Sequence, residues 1–130
     1  MPHRPQILQS NHVANLLRDN LADLDHEELR GIFLRPDHSL ITAEMLTKGT
    51  LNATLIDART VLRHSLLNNA AKVIVAHNHP SGNPMPGQYD IEQTRKVRAA
   101  CLMLDIPLVD HVILADDSFY SFAEETRYNY

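Results

Sequence analysis

Residues 72–84 read Lys72-Val73-Ile74-Val75-Ala76-His77-Asn78-His79-Pro80-Ser81-Gly82-Asn83-Pro84. The first five are a short apolar run rich in β-branched side chains, the pattern of a buried strand. His77 and His79 stand where the run ends. Residues two apart on a strand share a face, so both imidazoles can meet at one point. Pro80, Gly82, Pro84, Pro86 and Gly87 then interrupt regular structure. A helical pattern opens near Gln88 and runs to Leu104, which puts Asp90 in its first turn. Two imidazoles and a carboxylate, from a strand end and a helix start, are the donor set of a catalytic zinc site with its fourth position left to water. Singly, each feature is common: His-x-His recurs by chance, and an Asp in a first helical turn is favoured by the helix dipole. Their meeting at a strand-to-helix junction, where ligands bind in α/β proteins, gives the combination its weight.

Outward from this centre the chain reads as helices and strands. Before the strand, Asp57 to Ala71 carries Ala58, Val61, Leu62, Leu66 and Leu67, one apolar helical face with Arg63, His64 and Asn68 on the wet side. Earlier still, Gly31–Leu34 and Ser39–Met45 flank a Pro36-Asp37-His38 turn and predict a β-hairpin, ended by Lys48-Gly49-Thr50. His38 belongs to that turn. Ile7 to Leu24 has helical spacing, capped by Ser10 or Asn11, after a loose start at Met1 to Pro5. Beyond the second helix, Ile106 to Ala115 predicts a strand, Asp116-Asp117 a turn, and Phe119 to Phe122 a short edge strand. This order predicts a single α/β domain with a mixed β-sheet flanked by helices.

Composition sets the outer bounds. The chain has 130 residues, 44% of them hydrophobic and only 5% aromatic, so its core is chiefly Leu, Ile, Val and Ala. Its formal charge of −4 lacks the basic excess of a protein held by nucleic-acid phosphates. Arg95, Lys96 and Arg98 accordingly read as a solvated helix face, not a nucleic-acid patch. The single Cys101 excludes an internal disulfide and suits a reducing compartment. With no signal peptide or long apolar segment in the sequence, the expectation is a soluble cytoplasmic protein with no membrane partner.

Hydrolysis by a metal-bound water needs a group to accept and pass on its proton. Glu44, at the end of the second hairpin strand, and Glu92, two residues after Asp90, are the candidates. Positions i and i+2 of a helix do not share a face, so Glu92 points away from the metal side and Glu44 is favoured.

These residues together resemble the RadC-like branch of the JAB/MPN metalloprotease superfamily. Its JAMM signature is a distant Glu, then His-x-His-Pro, then an Asp eleven positions after the second His, the interval from His79 to Asp90. Thr94, Gly49-Thr50, Asn69-Ala70-Ala71, Asp110-His111-Val112-Ile113 and Ser121-Phe122 extend the likeness over residues 25–125. The resemblance implies a cytidine-deaminase-like fold, with residues 1–24 an N-terminal helical segment and 25–130 the domain. It implies one Zn2+ held by His77, His79 and Asp90, Glu44 as general acid/base, and an amide or isopeptide bond in a peptide or protein as substrate. The signature has a Ser three positions before the Asp, where this chain has Gly87; Ser81 is the nearest substitute in sequence. His111 reads either as a residue touching a ligand or as a hydrogen-bonded structural one. About 25 residues precede the hairpin, too few for the helix-hairpin-helix module of longer RadC-like proteins. Adjacent His-Asn-His does not make an HNH nuclease, whose residues come from separated places in a ββα unit. A zinc deaminase would need Pro-Cys-x-x-Cys. The remaining alternative is a DNA-associated or protein-binding module with a weakened metal site, in which DNA is not supported by the charge.

Overall fold

The computed structural model describes residues 4–21, 23–49 and 54–130. In chain order the elements are α1 (Ser10–Leu21), β1 (Glu28–Leu34), β2 (Leu40–Lys48), α2 (Ala58–Leu67), β3 (Lys72–Asn78), α3 (Gln88–Met103), β4 (Leu108–Leu114), β5 (Ser118–Ser121) and β6 (Thr126–Asn129). The strands form one mixed sheet in the order β2-β1-β3-β4-β5-β6. Only β3 and β4 run parallel, and α3 is the crossover between them. Parallel neighbours require such a crossover, and this one returns the chain so that α3 starts beside the end of β3.

Strand alternation sorts the core onto two faces. Ile32, Leu34, Ile74, Ala76, Val112 and Leu114 meet Val13, Ala14, Leu17 and Leu21 of α1 on one side. Leu29, Phe33, Val73 and Val75 meet Val61 of α2 and Val97 and Cys101 of α3 on the other. The molecule is therefore an α/β/α sandwich with one helix on one face and two on the other. Gly31 lies on the two-helix face, where a Cβ would come within 2.6 Å of the Phe33 ring. Its lack of a side chain lets that ring fold back over the strand.

The hairpin turn is built as its residues suggest. The Arg35 N–H donates to the Ser39 carbonyl at 2.9 Å, Asp37 Oδ1 accepts the Ser39 N–H at 2.9 Å, and His38 adopts a positive φ of 68°. Three readings are corrected. The strand near Phe119 is not an edge, because β6 pairs outside it. All four β6 residues are exposed, so no apolar alternation announces that strand. The second helix stops at Leu67, before a left-handed Asn69 at φ 51°. His64 and Asn68 are not on its wet side but reach Glu44 on β2. Thr50 and Met1 to His3 lie outside the described residues. Among the described residues, no helix is long and apolar enough to cross a membrane.

Ile32 is wholly buried between β2 and β3 and faces α1. Ile32→Ala should cost about 2–5 kcal/mol through lost burial and the cavity left behind. Urea unfolding checks this; a loss below about 1 kcal/mol would mean that the α1 face does not close on the sheet.

Candidate metal centre

His77 lies on β3 opposite Leu29 of β1, so its ring enters the two-helix face at the end where α3 begins. The chain leaves the sheet at once. The His79 N–H still donates to the Leu114 carbonyl at 2.8 Å, and Gly82, at φ 90°, turns the loop. His79 Nδ1 is 2.8 Å from the Asn83 carbonyl. A carbonyl can only accept, so Nδ1 carries the hydrogen and Nε2 presents its lone pair inward. Across the loop, Gly87 has an extended backbone (φ −83°, ψ 175°) and caps α3. Its N–H donates to Asp90 Oδ2 at 2.8 Å, which fixes the carboxylate at the helix start.

These constraints bring three donors together. His77 Nε2 and His79 Nε2 are 3.0 Å apart, and each is 3.3 Å from an oxygen of Asp90. A tetrahedral ion with bonds of about 2.0–2.1 Å has ligand-to-ligand edges of about 3.3–3.4 Å. His77 faces Oδ1 and His79 faces Oδ2 of Asp90, and separations of 3.0–3.3 Å across this cluster are those of groups that can share one small cation. A fourth group stands further out: Glu27 Oε1 is 3.8 Å from His79 Nε2 and 4.0 Å from His77 Nε2. Glu27, His77 and His79 thus also form a cluster able to hold a metal ion.

Residues 7–127 match the RadC-like JAB domain family. This chain belongs to that family. It is 39% identical over 115 residues to the UPF0758 protein PM1152 of Pasteurella multocida, covering 88% of this chain and 51% of that protein. It is 44% identical over 112 residues to the UPF0758 protein Reut_A2732 of Cupriavidus pinatubonensis, covering 86% and 49%. A UPF0758 protein of Flavobacterium johnsoniae is 34% identical over 120 residues, covering 92% and 52%. The chain spans about half the length of these curated relatives.

In this RadC-like domain, Glu27 stands beside the two imidazoles and Glu44 does not. Glu44 Oε1 accepts from the Asn68 amide at 2.5 Å, and its Oε2 is 3.3 Å from His64 Nδ1. It lies on β2, beyond β1 from His77, and turns toward α2. Glu27 is set by a clamp that sequence reasoning missed. The Glu28 N–H donates to Asn78 Oδ1 at 2.8 Å, and the Asn78 amide donates to the His26 carbonyl at 2.8 Å. The residue between the two histidines therefore ties down the segment that carries Glu27. Glu92 is exposed and bonded to Gln88. Ser81 is exposed, and its Oγ accepts the Asn83 N–H at 3.4 Å.

Behind the ligands, His77 Nδ1 is 2.7 Å from His111 Nε2, and His111 Nδ1 is 2.6 Å from Thr94 Oγ1. His111 is wholly buried, with Phe122 stacked on its ring at 4.7 Å. It thus touches His77 directly, and Thr94 meets the other nitrogen of its ring.

Charge and burial compete across the site. Burial alone would raise the Asp90 carboxyl, but hydrogen bonds to His77, His79 and the Gly87 N–H hold it well below the usual carboxylate range. Burial works against a charged His79, yet Asp90 and the Asn83 carbonyl outweigh it and raise that imidazole above 6.5. Burial keeps His111 well below 6.5 and therefore neutral.

Two outcomes follow. A Cβ at Gly87 would meet only Asp90 Oδ2, at 3.7 Å, and the backbone there is ordinary. Gly87→Ser should leave the melting temperature unchanged or raised, since Ser caps a helix at least as well as Gly; a clear drop would contradict the cap geometry. The second concerns acid. Above about pH 6.5, folded and unfolded chains bind equal protons at His111; below it, the unfolded ring takes a proton that the folded one refuses. This ring's contribution to the stability of the metal-free protein falls on acidification, by up to about 1.4 kcal/mol per pH unit, against the opposite contribution of His79. Urea unfolding in chelator at about pH 7 and about pH 5.5 should show a smaller loss for His111→Phe than for wild type.

Proposed function

We propose that this RadC-like domain is a zinc-dependent hydrolase of amide or isopeptide bonds, with a peptide or an isopeptide-linked protein as substrate. The observation that supports this best is the convergence of His77 Nε2, His79 Nε2 and the Asp90 carboxylate, with 3.0 Å between the imidazoles and 3.3 Å from each to its own carboxylate oxygen. Two imidazoles and one carboxylate suit zinc, and three protein donors leave one position open. Zinc bound there would polarise the substrate carbonyl and lower the pKa of its water to about 7.

The residues of the chain do the rest. His77, His79 and Asp90 hold the ion at the sheet end, and the Asn83 and Gly87 contacts keep His79 and Asp90 aimed. Glu27, whose carboxylate stands beside both imidazoles, would accept the proton from the attacking water and return it to the leaving nitrogen. Glu27 stands further from both imidazoles, at 3.8–4.0 Å, than Asp90 does, and the proton-transfer role is assigned to it on that ground. The expected catalytic role thus moves from Glu44 to Glu27. The Gly87 N–H is engaged by Asp90, and no hydroxyl stands at this position to meet a developing oxyanion.

Purified protein tests the reading by metal analysis and by cleavage of peptide and isopeptide libraries. Wild type should carry one zinc; His77→Ala and His79→Ala should fold and lose it. Glu27→Gln should retain zinc and lose hydrolysis, while Glu44→Gln should retain both. Gly87→Ser should raise turnover by as much as about 10²-fold, the size of one oxyanion donor. Full zinc in His77→Ala, or full activity in Glu27→Gln, would overturn the assignment.

A further inference from the structure

We propose that His111 and Thr94 are positioning residues for His77, joined in one directed hydrogen-bond chain that aims the His77 Nε2 lone pair into the metal centre. The inference rests on the metal-site reading above and adds two residues to it.

The direction follows from the chemistry of each atom. A His77 that ligates through Nε2 carries its hydrogen on Nδ1. That N–H points at His111 Nε2, 2.7 Å away, which must then be a bare acceptor. A neutral imidazole with a bare Nε2 carries its hydrogen on Nδ1, and His111 Nδ1 lies 2.6 Å from Thr94 Oγ1. The chain ends on a hydroxyl, which can accept there and still donate its own hydrogen elsewhere. Thr94 and His111 border a groove of about 500 Å3 between α3 and the β4–β5 side, into which that hydrogen can turn.

Packing alone does not account for these residues. His111 is 0% exposed. A buried polar group without partners costs about 1–3 kcal/mol, and an apolar ring would fill the space without that cost. Among the described residues, the only hydrogen-bond partners of its ring nitrogens are His77 and Thr94. Phe122 stacks on the ring with planes 12° apart, and the His111 ring is tilted 53° to that of His77. Thr94 is one helical turn beyond Asp90, so the helix that supplies one ligand also anchors the chain behind another. Partners of this kind behind a ligating histidine are worth about 10- to 100-fold in metal affinity.

The test separates hydrogen bonding from packing. Thr94→Val removes the hydroxyl at nearly constant shape, and Thr94→Ser restores it. His111→Phe keeps an aromatic ring under Phe122, and His111→Gln restores an acceptor for His77. Zinc affinity is measured by competition with a chromogenic chelator, with thermal melts to establish folding. Nitrogen-15 spectra of the zinc-loaded protein report the imidazole N–H groups. Thr94→Val and His111→Phe should bind zinc about 10- to 100-fold more weakly. Thr94→Ser should match wild type, and His111→Gln should recover part of the loss. Wild type should show two downfield, slowly exchanging imidazole N–H signals, from His77 and His111. Thr94→Val should lose the second and His111→Phe both. Folded Thr94→Val and His111→Phe proteins with wild-type affinity would overturn the proposal. So would an unprotected His77 N–H in the wild type. Neither readout uses hydrolysis. A wild type that binds zinc and cleaves nothing would therefore sink the hydrolase reading and leave these measurements to decide the relay.

Discussion

Everything at the metal centre depends on the parallel pairing of β3 with β4. Because these two strands run the same way, the chain must cross back over the sheet, and α3 is that crossover. The start of α3 is thereby placed beside the end of β3, and nothing else in the fold would bring Asp90 within 3.3 Å of His77 and His79. The same pairing sets His111 of β4 next to Val75 of β3, on the face that His77 shares. One strand pairing therefore positions the three inner donors and the residue behind them.

The donor cluster is also where the fold works against itself. Two imidazole nitrogens 3.0 Å apart, with two carboxylates beside them, are a concentration of lone pairs that an apolar core would avoid. The surroundings compensate one contact at a time. Gly87 donates to Asp90, the Asn83 carbonyl takes the His79 hydrogen, and burial keeps His111 neutral. Such arrangements are usual at functional sites and unusual elsewhere, because local stability is lowered for the sake of a bound group.

The parts legible in the sequence were those governed by one short pattern. The run from Lys72 to Ala76 and the helix from Gln88 had periodicity and breakers on both sides, so their junction could be located. Glu27 had no such signal. It precedes β1, and its meeting with His77 depends on the register that sets Leu29 opposite His77, which no local pattern encodes. Glu44 drew attention as a charge between Ala43 and Met45, and the charge is indeed accommodated, but by Asn68 and His64. The strand β6 was missed because an exposed, polar four-residue strand has no alternation to read. His111 stood open between two roles until its neighbours across the sheet were known.

Asn78 has a consequence for how substitutions in this segment are interpreted. It stands between His77 and His79, yet its amide grips the backbone at His26 and Glu28. Three consecutive residues thus serve two separate tasks, with the outer pair facing the candidate metal centre and the middle one holding a remote carboxylate in place. A survey of variants would show an unbroken block of sensitive positions and invite the view that all three touch the ion. The middle position would instead behave as a distant extension of Glu27, because its contacts are with the segment that carries that carboxylate. It follows that the spacing of this tripeptide is doubly determined: one inserted residue would displace a ligand and release the carboxylate at once.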